Sequence, residues 1–293
     1  MKNSPKNHSE PRLTEKKVAI LTCSMANDLD LFSLLAESID EHVSSEVPHR
    51  VIVPRADVPV FRRFASNRRT IIAQEDLLPF RLWKLPPVLK HLAFIKPGFR
   101  RPLYLKSDGK VVRGWMLQQI LKINESLSRD YDAIMHVDSD VFFFREFRKE
   151  DAFVGDRVRY FRTFGETKNP MHRPWIKNAC GYLGINVPSK HSTHYVENCV
   201  LWSTNVTRAM VARIEAVHGT PFYQELLSSE TMSEYYLYGI FADFFPEGAE
   251  LEGEEVSFCN SYWPTDQSGD VDFNSLMARL QPKHCAVAVQ STN

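Results

Sequence analysis

Residues 131–144 read YDAIMHVDSDVFFF, in which an apolar run ends in two aspartates one residue apart and a second apolar run follows. Residues 133–137 predict a short strand buried on both faces, as in a mostly parallel sheet. Asp138 and Asp140 come where this strand leaves the sheet, and side chains two residues apart on an extended chain point the same way. We therefore expect both carboxylates to face one site.

Two interpretations of this aspartate pair remain open. Unpaired carboxylates in an apolar frame are costly, and a divalent cation such as Mn²⁺ or Mg²⁺, which prefers oxygen ligands, would offset that cost. Alternatively, Asp138 and Asp140 stabilise a turn by accepting hydrogen bonds from backbone amides. The buried strand before the pair and the aromatic residues after it favour the metal interpretation.

The composition indicates one large domain and excludes a nucleic-acid partner. The chain has 293 residues, and 43% of them are hydrophobic, which is enough for a substantial core. Lys+Arg and Asp+Glu both count 36, so the basic excess typical of nucleic-acid-binding proteins is absent. We expect residues 1–15 to form a disordered tail and residues 16–293 to form the domain.

The cellular location is predicted from what the sequence lacks. The N-terminal residues are polar, no run of about 18 apolar residues is present, and the five cysteines show no CxxC pattern. These features predict a cytoplasmic protein with reduced thiols. Residues 60–113 are locally basic, which indicates either a solvated face or a surface for an anionic donor, a glycan or lipid head groups. Peripheral contact with the inner face of the membrane through this stretch therefore stays open.

The order of elements is typical of an α/β protein. Residues 18–22 and 49–53 predict parallel strands around a helix, and the loop after the first strand lacks the glycines of a dinucleotide-binding fold. Residues 70–73 predict a third strand. Residues 75–113 are rich in proline, and a long irregular segment of this kind is usually functional. Residues 114–127 predict an amphipathic helix that leads into the Asp138 strand.

Three polar residues outside the aspartate pair are candidates for function. Lys122 lies off the apolar stripe of its helix and is either an exposed lysine or a phosphate contact. Glu234 falls in the first turn of a helix capped by Ser233, where it either complements the helix dipole or, desolvated among tyrosines, acts as a general base with a raised pKa. His284, just before a predicted strand at residues 286–289, is either structural or a late metal ligand or phosphate contact.

At this point the sequence resembles the GT-A class of nucleotide-sugar glycosyltransferases. More narrowly, it is similar to an uncharacterised bacterial family described as glycosyltransferase-like. The resemblance covers most of residues 17–290. It rests on four segments in order, GWMLQQILK at 114–122, HVDSD at 136–140, RIEA at 213–216 and SEYYLYG at 233–239. It implies a GT-A-like α/β domain with a mostly parallel central sheet flanked by helices, a nucleotide-sugar-binding half at 16–145 and a mixed acceptor-binding half at 146–293.

The resemblance also implies an activity, which is metal-dependent transfer of a sugar from a nucleotide-sugar donor, a UDP-sugar being favoured, to a saccharide or lipid-linked acceptor. Asp138 and Asp140 would hold Mn²⁺ or Mg²⁺ against the diphosphate, His284 would complete the metal site, and Glu234 would be the base. The residues expected to contact the donor are Thr22, Ser24, Asp57, Gln119, Lys122, Asp138 and Ser139.

Two other functions stay open on the sequence alone. A nucleotidyltransferase also needs paired aspartates and a metal, although it would favour a glycine-rich, basic loop after the first strand. A catalytically inactive relative that binds a nucleotide or a glycan would keep the aspartates only as a structural turn. Whether Asp138, Asp140 and Glu234 line one cleft is the observation that separates the transferase hypothesis from the inactive one.

Overall fold

A computed structural model describes residues 16–85, 103–106, 108–165, 172–188, 192–229, 231–262 and 273–289. The expected tail at 1–15 and part of the basic stretch, at 86–102 and 107, lie outside the described residues. The strands are β1 Val18–Cys23, β2 His49–Val53, β3 Arg69–Ala73, β4 Leu82–Lys84, β5 Leu103–Lys106, β6 Val111–Arg113, β7 Ala133–Val137, β8 Val141–Phe143, β9 Phe153–Val154, β10 Arg157–Phe161, β11 Thr163–Phe164, β12 Thr193–His194, β13 Cys199–Ser203, β14 Leu251–Glu254, β15 Cys259–Tyr262 and β16 Ala286–Val289. The helices are α1 Leu29–His42, α2 Val58–Phe61, α3 Gly114–Glu125, α4 His172–Leu183, α5 Thr204–His218, α6 Phe222–Leu226, α7 Glu234–Phe244 and α8 Phe273–Ala278.

The central sheet has five strands in the order β13-β7-β1-β2-β3. Strands β7, β1, β2 and β3 run parallel, and β13 runs antiparallel to β7 at the edge. The predicted mostly parallel sheet and the β-α-β opening are confirmed, and the four parallel strands lie where the sequence predicts them. Because the carboxyl ends of parallel strands meet at one edge of a sheet, the residues after β1, β2 and β7 converge there.

Smaller sheets surround the central one. Strands β4, β5 and β6 form an antiparallel sheet, so the prediction that residues 75–113 are irregular is wrong at these three strands. Strands β4 and β6 have only three residues each, which is too few for the alternation of apolar and polar residues that identifies a strand. The prolines nearby also favoured the prediction of an irregular segment. Another sheet has the strand order β15-β16-β8. Its strand β8 begins directly after Asp140, and its strand β16 is the one predicted at residues 286–289.

The helix α3 packs against β1 and α7. Its predicted apolar stripe is buried, including Met116 and Ile120. Gln119 and Lys122, which lie off that stripe, are buried as well, and their side chains are only 1% and 3% exposed. Because α7 covers this second face of α3, the helix is buried on more than its apolar stripe.

The helix α7 is also buried on most of its surface, and its glycine is a point of close approach. A Cβ added at Gly239 would overlap the ring of Tyr195, whose hydroxyl donates a hydrogen bond to Asp243 at 2.7 Å. The ring is 2% exposed and has no free space into which to move. Glycine at this position therefore allows α7 to pack against the segment before β13.

We expect Gly239→Ala to lower the free energy of unfolding by about 1–3 kcal/mol, the usual cost of overpacking a core. This loss should outweigh the helix propensity that alanine adds, which is about 1 kcal/mol. Gly181→Ala in α4 is the matched control, because a Cβ there meets nothing within 4 Å and should be neutral or stabilising. Urea denaturation measures both variants, and equal stabilities would contradict the packing argument.

Candidate functional site

The residues after β1, β2 and β7 line a cleft of about 640 Å³. The helix α3 lines it with one face, on which Trp115, Gln118 and Lys122 follow helical spacing. Helix α4 adds Trp175, and the beginning of α7 adds Glu234. The carboxyl edge of the central sheet contributes Ser24, Ile52, Pro54, Asp138, Ser139 and Asp140. Both aspartates and Glu234 therefore line one cleft.

The two aspartates differ in their surroundings. Asp138 Oδ1 accepts a hydrogen bond from Lys122 Nζ at 3.2 Å. Asp140 Oδ1 is buried and has no hydrogen-bond partner among the described residues. Burial and the neighbouring Asp138 carboxylate raise the pKa of Asp140 to about 6. Ser139, between them, donates to Ser24 Oγ at 2.9 Å and ties the turn to the end of β1.

Lys122 connects the aspartate pair to α7. Its Nζ lies 3.2 Å from Asp138 Oδ1 and 3.3 Å from Glu234 Oε1, and it donates to the Tyr235 hydroxyl at 2.8 Å. Burial alone would lower the pKa of Lys122, but Asp138, Tyr235 and Glu234 together raise it well above its ordinary value. The ammonium group therefore stays charged, and the alternative of an exposed surface lysine is wrong.

Glu234 is positioned at the N-terminus of α7. Ser233 caps the helix by accepting a hydrogen bond from the Tyr236 amide, and the Glu234 amide donates to Gln119 Oε1 at 2.9 Å. The Glu234 side chain is 5% exposed. Burial raises its pKa above the ordinary value, although the Lys122 ammonium opposes that shift. A buried carboxylate of this kind can accept a proton from a ligand in the cleft.

Three residues predicted to contact the donor, Thr22, Asp57 and Gln119, do not line the cleft. Thr22 is fully buried, and its Oγ1 is hydrogen-bonded to His49 Nε2 at 3.1 Å. Asp57 accepts a hydrogen bond from the Ala26 amide at 2.9 Å, which holds the loop after β1. Gln119 acts only indirectly, through Glu234. These three side chains therefore hold neighbouring parts of the chain in place by hydrogen bonds and do not line the cleft themselves.

The structure does not bring His284 to the aspartate pair. Strand β16 runs antiparallel to β8, with Ala286 opposite Phe143, so that His284 lies beyond the end of β8 that is farther from Asp140. Its Nδ1 accepts a hydrogen bond from the Gln281 amide at 3.0 Å, which indicates a structural histidine. His284 is therefore not included among the candidate metal ligands.

Other cleft residues were not predicted from the sequence. The register of β13 against β7, with Cys199 opposite Val137, places Glu197 and Asn198 beside the aspartate turn. Helical spacing from Lys122 would have identified Trp115 and Gln118 on the same face of α3. Trp175 could not be identified in this way, because the sequence of α4 shows no clear apolar period. The further lining residues that sequence reasoning missed include Gln74, Tyr104, Trp115, Gln118, Trp175, Glu197 and Asn198.

The charges that line the cleft are mostly negative. Among the described lining residues, Lys122 is the one basic residue, against the acidic residues Asp28, Asp138, Asp140, Glu197 and Glu234. The described residues contain no group of three or more His, Cys, Asp or Glu side chains that could hold a metal ion. Asp138 and Asp140 could therefore supply two carboxylate ligands, and any further ligands would have to come from water or from a bound substrate.

The fold and the cleft define an α/β protein with an acidic site at the carboxyl edge of a mostly parallel sheet. The chain belongs to the Family of unknown function (DUF6492), which matches residues 16–281 and so includes every cleft residue named above. No curated protein matches the chain. None of the helices in the described segments combines the length and apolar composition needed to cross a membrane.

Proposed function

We propose that the protein is a metal-dependent glycosyltransferase of the GT-A type, which moves a sugar from a nucleotide-sugar donor to a saccharide or lipid-linked acceptor. One observation carries the proposal, namely that Asp138 Oδ1 and Glu234 Oε1 both lie within 3.3 Å of Lys122 Nζ in the same cleft. A metal-binding carboxylate and a candidate base are thus close enough to act on one bound substrate. The position of the site at the carboxyl edge of the sheet also supports it.

The aspartate pair fits Mn²⁺ or Mg²⁺ in its chemistry. Asp140 Oδ1 is buried without a hydrogen-bond partner among the described residues, which is costly unless a cation or a donor is present. Mg²⁺ is commonly held by one or two protein carboxylates together with substrate phosphates, and so two aspartates without a third ligand suit a metal that binds with a diphosphate. A metal bound there would act as a Lewis acid on the leaving diphosphate.

In the proposed transfer, Glu234, Lys122 and Gln119 would each have a separate role. Glu234 takes the proton from the acceptor hydroxyl while the acceptor oxygen forms a bond to the anomeric carbon of the donor. The bond from that carbon to the phosphate oxygen breaks, and its electron pair leaves with the nucleoside diphosphate. Lys122 stabilises the ionised forms of Asp138 and Glu234. Gln119, which accepts from the Glu234 amide, fixes the beginning of α7.

The direct test is release of nucleoside diphosphate from a panel of UDP-, GDP- and CMP-sugars, with CMP measured for the last, in the presence of Mn²⁺ and candidate acceptors. The proposal expects metal-dependent turnover of one donor. Release of pyrophosphate from a nucleoside triphosphate with a sugar phosphate would instead indicate a nucleotidyltransferase. Binding of a nucleotide without turnover of any donor would indicate an inactive relative.

Glu234→Gln should lower the transfer rate by about 10²–10⁴-fold, the usual contribution of a general base, while metal-dependent nucleotide binding persists. The amide keeps the shape of the side chain but cannot accept the proton. Glu247→Gln is the matched control, because Glu247 is exposed beyond the end of α7. If Glu197→Gln abolishes transfer and Glu234→Gln does not, the base has been assigned to the wrong cleft carboxylate.

A further inference from the structure

Two tryptophans form an aromatic corner in the wall of the cleft, defined here as Trp115 and Trp175. Trp115 lies in the first turn of α3 and Trp175 in the first turn of α4, and both are partly buried cleft residues. Their ring centroids are 6.3 Å apart, and the ring planes meet at 37°. None of the roles assigned above to the aspartates, Lys122 or Glu234 requires two indole rings.

The Trp175 ring of the aromatic corner is held in place by His172 and Tyr236. The His172 ring stacks on Trp175 with centroids 5.1 Å apart and an angle of 18°. His172 Nδ1 is 2.9 Å from the hydroxyl of Tyr236, which is fully buried in α7, and the Tyr236 ring lies 5.8 Å from that of Trp175. The orientation of Trp175 is therefore fixed before any ligand arrives, which lowers the entropic cost of binding.

The charge of the cleft restricts what can stack on the aromatic corner. The described lining residues carry five carboxylates and one ammonium group, so an anionic ligand without a metal is repelled. Ionised carboxylates only accept hydrogen bonds, and they require a ligand rich in donors. An uncharged sugar ring meets both conditions, since its hydroxyls donate and its C–H face is apolar enough to pack on indole.

The spacing along α3 relates the aromatic corner to the reacting groups. Trp115 precedes Lys122 by seven residues on the same helix face, which corresponds to about 10 Å along the axis. Building on the glycosyltransferase function proposed above, we propose that Trp115 and Trp175 form a stacking subsite for an uncharged sugar ring of the acceptor. This ring lies beyond the unit whose hydroxyl faces Glu234, so the acceptor is a neutral saccharide of at least two units.

The side-chain indole N–H signals of ¹⁵N-labelled protein test this subsite directly. The probes are neutral α- and β-linked disaccharides of glucose, galactose and N-acetylglucosamine, and a disaccharide that contains a uronic acid, each added with a nucleoside diphosphate and diamagnetic Mg²⁺. We expect a neutral disaccharide to shift the signals of Trp115 and Trp175. The signals of Trp83, which is 51% exposed outside the cleft, and of the core residue Trp202 should stay in place.

Variants at the corner make the test quantitative. Trp175→Ala should weaken binding of that disaccharide by about tenfold or more, whereas Trp175→Phe, which keeps an aromatic face, should retain most of it. Trp83→Ala is the matched control. If no neutral disaccharide shifts either signal, or the uronic-acid disaccharide binds more tightly, the subsite proposal is wrong.

The proposed function and the subsite can fail separately. Disaccharide shifts at Trp115 and Trp175 without nucleotide binding in the wild-type protein would support the subsite and contradict the transferase. Metal-dependent nucleotide binding without any disaccharide shift would contradict the subsite alone.

Discussion

Lys122→Met is expected to lower the free energy of unfolding by about 3–5 kcal/mol, the range seen when one partner of a buried ion pair is removed. Methionine fills a similar volume, but it leaves the Asp138 and Glu234 carboxylates without the ammonium group that both contact. The Glu234 side chain is 5% exposed, and so water can solvate its charge only poorly. Urea denaturation followed by circular dichroism measures the loss.

A double variant and a surface control test whether the stability loss of Lys122→Met comes from the uncompensated carboxylates. Adding Glu234→Gln to Lys122→Met removes one of the uncompensated charges and should restore part of the stability. Lys177→Met on the exposed side of α4 should change the free energy of unfolding by less than about 0.5 kcal/mol. Equal losses for Lys122→Met and Lys177→Met would show that the buried ion pairs contribute nothing.

Asp140→Asn should weaken metal-dependent nucleotide binding strongly and at the same time stabilise the protein without metal. Loss of one of two carboxylate ligands should weaken metal-dependent binding by about 100-fold or more, since several kcal/mol of charge stabilisation are removed. Asparagine has no charge to bury, and so at pH 8 the variant should gain about 1–2 kcal/mol after allowance for solvent screening. A residue retained at a cost in stability is one expected to serve function.

The stability gain of Asp140→Asn should depend on pH in a defined direction. Burial raises the pKa of Asp140 in the folded protein to about 6, above its ordinary value of 3.8, so the folded state binds the proton more tightly than the unfolded state. The cost of the ionised carboxylate is therefore absent below about pH 4, grows between pH 4 and 6 and is complete above pH 6. Thermal unfolding of both proteins at pH 5 and pH 8 measures it, with Asp130→Asn as an exposed control. A gain that is the same at both pH values would contradict the account.

The central sheet could be predicted from the sequence because buried parallel strands read as short apolar runs, as in β1 and β7. The helix α4 could not, because Pro174 and Gly181 interrupt its pattern and its buried residues contact α7 and α5, far away in sequence. The same reason applies to Lys122. Its burial depends on α7, more than 100 residues later in the chain, and no local pattern contains that contact.

The candidate site was predictable only in part. Asp138, Asp140 and Glu234 were found because carboxylates after a buried strand and among tyrosines are chemically unusual. Thr22 lies at the right strand, but its hydroxyl bonds to His49 inside the sheet. The position of His284 follows from the antiparallel pairing of β16 with β8, which the sequence does not show.

The most direct test of the central claim is calorimetric titration of the wild-type protein with UDP, GDP and CMP, each with and without Mn²⁺. One of these nucleotides is expected to bind, and its binding is expected to require the metal, since the described residues that line the cleft carry five carboxylates against one ammonium group. Binding of none of them, or equally tight binding with and without Mn²⁺, would contradict the assignment of Asp138 and Asp140 as metal ligands for a nucleotide-sugar donor.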